Sequence, residues 1–507
     1  MRPRIFSHRR IANYPGLYAR RFGSKSVVAN KISLTLSTNV PKRTVIEQLN
    51  QHLVSSSSKL AQVWNEKNLD RGAAIFASRD FATWLEDEGF ISSVLEGLFM
   101  PNTGGQAGSQ DIDVLCAAVD GLTPERLSGE PQTGFSILYG SASNILPSLW
   151  EHNDFGSNAD QERESSVSFL SNPLPKDTRS LEITLPLANT IFQNGKQSTL
   201  LASKWKKSQN GSLGRIMTQE KRSQVINPRA ISADHTRPLL PLLPLTPPRK
   251  IVAGLGNIVR QVEVDGSVTP ASKELESLVP KIFDIRSQRD ASYTPGPIGV
   301  WCWVIPPHVV ETQGLHNLKV FGATSSQSEA ELSLDAMNVF SELLSSGCRL
   351  HKIMSGGGGW GLKQGLLSLD PETTYSPPDQ DDIEMFIRAF HERDSPNPSG
   401  GLATPGSYIM FCVEPHYIGS EIESSQHMTP TTSIGVAPNN DEEITPMDTS
   451  NNVKIIDNHF GVVSKAGLFL KATELPHTIG ISKTDESAEE SQVFTTKVNL
   501  PRAFLVL

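Results

Sequence analysis

The run Ser355 to Gly365, SGGGGWGLKQG, concentrates the residue types best suited to hold an anion. Glycine lets backbone N–H groups converge on a ligand, because no side chain blocks approach and positive φ is open to it. Ser355, Gly356, Gly357, Gly358, Gly359, Trp360 and Gly361 form the candidate ligand-binding loop, and Lys363 adds charge. Arg349 and Lys352 precede it on an apolar stretch that reads as a strand. A phosphate loop requires Lys-Ser/Thr directly after its last glycine, and here Gly361 is followed by Leu362-Lys363-Gln364. Two readings stay open: contact with a phosphate or carboxylate ligand, or a tight structural loop under Trp360.

Other chemistry is sparse. Ser355 and His351 lie four apart at a strand end with Asp370 nearby in sequence, but no G-x-S-x-G elbow exposes the serine. No histidine pair has the spacing of a zinc site, so no metal is predicted. Gly254-Leu255-Gly256 lacks the third glycine of a dinucleotide fingerprint, since position 259 is valine, and reads as a turn. No cofactor motif is present. Lys204, Lys206, Lys207, Arg215, Lys221 and Arg222 surround Trp205, a composition that can stack single-stranded nucleic acid. The solvated face of a hairpin explains the same residues.

The elements that must position these residues follow from periodicity. Lys31 to Val40 alternates as a strand, and Ile46, Leu49, Leu53 and Leu60 repeat at helical spacing. GAAIFAS from Gly72, DIDVLCAAV from Asp111 and GFSILY from Gly134 read as buried strands between helical segments. This order predicts an α/β fold with α+β elements: a layered mixed sheet with flanking helices, in two packed subdomains. The first spans 27–170. The second spans 178–415, with a Pro-rich connector at 234–249, and strands at 458–507 complete it. Asn194-Gly195 predicts a hairpin joining Leu181–Leu187 to Thr199–Lys207. Pro297 to Pro306 is the most apolar strand and belongs at a sheet centre. Ser328 to Ser346 reads as a helix ended by Gly347, and Asp381 to His391 as another. Residues 417–454 are polar and acidic and predict a disordered insertion.

The first 46 residues contain no Asp or Glu and carry six arginines before residue 22. That is the composition of a mitochondrial targeting peptide, assigned to 1–24, with matrix localisation as the expectation. The formal charge is −8, and removing residues 1–22 removes six positive charges and leaves −14. Such a charge argues against general nucleic-acid binding. No run approaches the length of a membrane-spanning helix. Cys116, Cys302, Cys348 and Cys412 each sit in or beside apolar runs and predict buried free thiols.

The stretch Asp111 to Tyr139, with DVLCAAVDG, a polar loop and GFSILYG, resembles the amino-terminal part of FIST domains. The segments LPLANTIFQNGKQSTLLASKW and SGGGGWGLKQGLLSLDP resemble parts of a fungal mitochondrial family of unassigned function. FIST domains are sensory or interaction domains with no catalytic set. The resemblance therefore implies small-ligand sensing or protein contact, with an anionic small molecule or a mitochondrial protein as partner. The alternative is a matrix enzyme acting on an anionic metabolite held by Gly356 to Gly361.

Overall fold

A computed structural model defines the architecture. It describes residues 29–64 (side chains to 55), 70–99, 111–151, 165–174, 177, 179–208, 212–228, 235–322, 327–356, 365–375, 402–416, 430–438, 453–473 and 494–507. The leader 1–24 and the helix expected at 381–391 lie outside these residues.

The α/β class holds: mixed sheets are layered with helices. The first sheet has seven strands in the order Leu213–Glu220, Leu200–Lys207, Ile112–Val119, Arg71–Ser78, Gly134–Ser141, Asn30–Leu36, Val453–Asp457. Arg71–Ser78 and Ile112–Val119 run parallel, and every other neighbour is antiparallel. Ile32, Leu34 and Leu36 face the helices Lys42–Trp64 and Glu88–Phe99, which bury Val45, Leu49, Leu53, Phe90, Val94 and Leu98 on that side. The opposite face, with Ala74, Phe76, Leu115 and Ala117, packs on Phe169, Ile183 and Phe460 of a second layer. Phe76 and Phe460 meet edge to face with ring centres 5.4 Å apart.

That second layer is built from distant parts of the chain. One sheet pairs Ser166–Ser171 and Ser180–Pro186 with Leu468–Thr473 and Phe494–Val498. Another orders Arg237–Leu239, Phe504–Val506, Thr432–Val436 and Phe460–Ser464. A further sheet closes on itself. Arg249–Leu255 pairs Ile258–Val264, then Leu367–Leu369, Arg349–Gly356, Val300–Ile305 and Tyr408–Val413 follow. Tyr408–Val413 returns to the first strand through Arg249 opposite Ile409 and Lys250 opposite Tyr408. Cys302, Ile409, Phe411, Ile251 and Val262 share one apolar cluster with Leu275 and Ile282 of the helix Lys273–Arg289. Trp301 and Trp303 point the other way, and Trp303 stacks on Phe340 of the helix Glu329–Ser345. Ser328 and Glu331 close a capping box at the start of that helix.

Several expectations change. Residues 417–454 are not one disordered insertion. Thr432–Val436 is a fully buried strand, and Val453 opens a strand that pairs with Asn30–Leu36. Its short apolar core, Ile434 to Val436, is outweighed in composition by the polar residues around it. The boundaries 27–170 and 178–415 do not separate the sheets, because Leu200–Glu220 and Val453–Asp457 extend the first one. Of the 458–507 strands, Phe460–Ser464 and Phe504–Val506 pair with Thr432–Val436, Phe504–Val506 also with Arg237–Leu239, and Leu468–Thr473 with Ser180–Pro186 and Phe494–Val498. Asn194-Gly195 makes a left-handed turn with Gly195 at φ 77°, but Ser180–Pro186 and Leu200–Lys207 join different sheets. The 234–249 connector is built in: Leu240, Leu242, Leu243 and Leu245 are buried. Val300–Ile305 lies between two partners, as its composition predicts.

Gly134 has φ 140°, and a β-carbon there would lie 1.9 Å from the Leu34 carbonyl oxygen across the sheet. Gly266 has φ 77° with open space around it. Gly134→Ala is expected to lose about 3 kcal/mol or more, and Gly266→Ala about 1 kcal/mol. Urea midpoints measure both, and equal losses would contradict the packing described for Gly134.

Candidate functional site

Gly357, Gly358, Gly359, Trp360, Gly361 and Lys363 lie outside the described residues. Their root is described. Ser355 and Gly356 end the strand Arg349–Gly356, both exposed, opposite Ser368 and Leu367. Met354 beside them is 62% exposed. Gly365 re-enters at φ 82°, and a β-carbon on it would meet Pro270 at 2.5 Å. Glycine is required there by both conformation and space.

The serine, histidine and aspartate near this segment do not assemble into a catalytic relay. His351 is 1% exposed and lies across from Cys302 on the neighbouring strand. Its Nδ1 is 2.9 Å from the backbone carbonyl of Asp370, not the carboxylate. A carbonyl only accepts, so Nδ1 carries the hydrogen and Nε2 is left as a buried acceptor without a partner. Burial holds the imidazole neutral, with its pKa lowered to about 4. The Asp370 carboxylate is committed elsewhere. It accepts from Lys497 at 3.2 Å, Asn499 at 3.1 Å and the Glu372 amide at 3.1 Å. Asn499 in turn accepts from the Trp301 indole at 3.0 Å, and the Lys352 ammonium sits 5.7 Å from the Trp301 ring centre. The network ties the end of the strand Leu367–Leu369 to Lys497 and Asn499 at the end of the strand Phe494–Val498.

The basic patch is also occupied. Trp205 is buried and donates to Ser203 at 2.9 Å, so its ring is not a stacking platform. Arg215 lies over that ring and pairs with Glu88. Lys204 pairs with Asp113, and Lys221 donates to the Leu149 carbonyl. The surrounding strands Leu200–Lys207 and Leu213–Glu220 form the hairpin that its sequence allowed. Gly256-Asn257 is a two-residue hairpin loop, with Leu255 opposite Ile258. All four cysteines are free and buried. Among the described residues no three His, Cys, Asp or Glu side chains cluster as metal ligands, and no helix is long and apolar enough to cross a membrane. A groove of about 780 Å³ separates Arg237–Leu239 from the helix Glu329–Ser345. Its acids are engaged, Glu331 in the capping box and Asp335 with Lys319 and Gln327.

A second polar cluster carries no motif in the sequence. Ser33 and Ser136 face each other across neighbouring strands, with their hydroxyls 3.1 Å apart. His459 stands where the chain turns from the first sheet into the second layer, and its Nδ1 is 2.9 Å from Ser33 Oγ. Ser33 Oγ also donates to the His459 carbonyl at 3.0 Å, which leaves Nδ1 as the donor to Ser33. The Gly461 amide donates to Ser136 at 2.9 Å, and Thr123 bonds Ser433 at 2.7 Å. His459 is 3% exposed, and burial lowers its pKa to about 4. The alternation Lys31, Ser33, Thr35 resembles a solvent face. It is buried because strands more than 390 residues later cover it.

The chain matches no family model, no characterised protein and no solved structure.

His351 and His459 set an acid limit on stability. Each has an ordinary pKa of 6.5 and a folded value of about 4, so below pH 6.5 the unfolded chain binds protons that the fold refuses. Their contribution is whole above pH 6.5 and is lost as pH falls through 4. Each is worth up to about 3 kcal/mol across that window. His351→Gln and His459→Gln are each expected to flatten the fall in unfolding free energy between pH 6.5 and 5. Unchanged slopes in both variants would contradict the buried neutral state.

Proposed function

We propose that this protein is a ligand-sensing or protein-contacting factor of FIST-like type that acts in the mitochondrial matrix, with an anionic small molecule held at Ser355 to Lys363. The observation that carries the non-catalytic reading is the fate of Asp370. Its carboxylate is committed to Lys497 and Asn499, and His351 bonds its backbone instead. The competing reading, a matrix enzyme acting on an anionic metabolite at Gly356 to Gly361, needs an acid or base at the hairpin root. His351 is buried and Asp370 is ion-paired, so neither favours it. The sensing reading draws further support from the anchored hairpin, whose exposed root presents a glycine-rich segment on a fixed base.

A thermal-shift screen of nucleotides, phosphates and carboxylates tests the anion. At least one is expected to raise the melting temperature of the wild-type protein, and Lys363→Ala to abolish that shift without lowering the unliganded value. No shift from any anion sinks the ligand assignment and leaves protein contact. For the compartment, amino-terminal sequencing of protein from isolated mitochondria is expected to begin near Phe22 to Ser24. A purely cytosolic protein would overturn the matrix assignment.

A further inference from the structure

The groove of about 780 Å³ beside the helix Glu329–Ser345 has an apolar floor and an acidic rim. Pro238, Leu239, Leu334 and Met337 line it together with Glu331, Asp335 and Glu342. The helix carries no Lys or Arg, and these three acids spread along about 16 Å of its length. Arg237 is the single cation among the described lining residues, so two negative charges are in excess. The bonds that engage the acids do not cancel that charge. Glu331 accepts from the Ser328 amide, which is neutral. Lys319 lies 3.5 Å from Asp335 with both side chains more than half exposed, and an exposed pair of that kind is worth little.

The chain itself holds a segment of the opposite character. Residues 1–28 lie outside the described residues, contain no acid and carry Arg2, Arg4, Arg9, Arg10, Arg20 and Arg21. Ile5, Phe6, Ile11 and Leu17 stand between the arginines. The segment leads into the strand Asn30–Leu36 of the first sheet. Its 28 residues can span up to about 90 Å, whereas a compact chain of 507 residues has a radius of gyration of about 24 Å, so every face is within reach. We propose that residues 1–28 dock in this groove of their own chain, with arginines on Glu331, Asp335 and Glu342 and apolar side chains on Leu334 and Met337. Guanidinium and carboxylate match in charge and in hydrogen-bond geometry. Tethering makes the contact intramolecular, so an affinity too weak to join separate molecules suffices. The groove is then a contact surface covered by its own amino terminus. Cleavage near Phe22, which the matrix reading calls for, would uncover it, but the docking does not rest on that reading.

Thiol labelling of the full chain tests this. All four native cysteines are buried, so an introduced thiol is the one that reacts. Ser341→Cys places a thiol in the groove, and Ser267→Cys places one on an exposed strand outside the lining as a control. Iodoacetamide is expected to label the Ser341→Cys thiol about fivefold faster once the six arginines are replaced by glutamine, with the Ser267→Cys rate unchanged. A rate at Ser341→Cys that ignores the arginines would overturn the proposal. So would protection that rises with protein concentration, which assigns the segment to the groove of a second copy. A missing anion shift or a cytosolic location leaves this result untouched, so the docking and the proposed function fail separately.

Discussion

The crossing at His459 holds the two layers together. Val453–Asp457 completes the first sheet, Asn458 turns with φ 52°, and Phe460–Ser464 enters the sheet that covers it. One short stretch thus carries a strand into each layer. The His459 imidazole and carbonyl both bond Ser33, and the next residue but one, Gly461, bonds Ser136. A β-carbon on Gly461 would fall 1.6 Å from Thr123 Oγ1, so the backbone approaches as closely as only glycine permits. Beside this polar seam lies the apolar cluster of Phe76, Phe169 and Phe460, which supplies the area-driven part of the attraction. The hydroxyl and imidazole pairs then fix the register, because a shifted strand would leave buried polar atoms unsatisfied.

Buried charge is handled in two ways elsewhere. Arg286 of the helix Lys273–Arg289 forms a two-pronged pair with Glu329 at 2.9 Å on each contact, and both side chains are almost wholly buried. Glu329 also accepts from the His416 amide, and Arg286 donates to the Glu414 carbonyl. Every strong acceptor of that pair is used, which is what a buried ion pair needs to offset desolvation. Asp370 is similarly surrounded. Lys31 is the exception among the described residues, a lysine almost as buried as Arg286 without an acid of its own.

How much of this the sequence disclosed depends on the distance between partners. Strands read from local apolar runs, such as Ile112–Val119 and Val300–Ile305, appear where expected. The helix Glu329–Ser345 was legible from its apolar stripe, Ala336, Met337, Phe340, Leu343 and Leu344, and from Gly347 at its end, whereas its capping box was not read. What failed was pairing at long range. Nothing local in Val453–Asp457 says that its partner is Asn30–Leu36, and the polar composition around Thr432–Val436 hid a strand with five buried residues. The seam was invisible for the same reason. Lys31, Ser33 and Thr35 alternate with apolar neighbours as they would on a half-exposed sheet, and only the later strands bury them. The glycine segment was conspicuous from composition alone, yet composition could not show that His351 and Asp370 beside it meet through a backbone carbonyl.

The two polar regions differ in what they could exchange with solvent. The strand Arg349–Gly356 ends exposed, and beside it the Asp370 carboxylate is held by Lys497 and Asn499. The seam at Lys31 is the reverse. Its hydroxyls and imidazole bond to each other across layers, and any change in charge there acts on the contact that unites the sheets. A protonated Lys31 is opposed by burial, and an uncharged one is not. The packing between layers therefore weakens the preference of one side chain for its charged form, which couples the charge of Lys31 to the integrity of the seam. By reciprocity, whatever loosens the seam restores water to Lys31 and returns its amine toward the ordinary charged form.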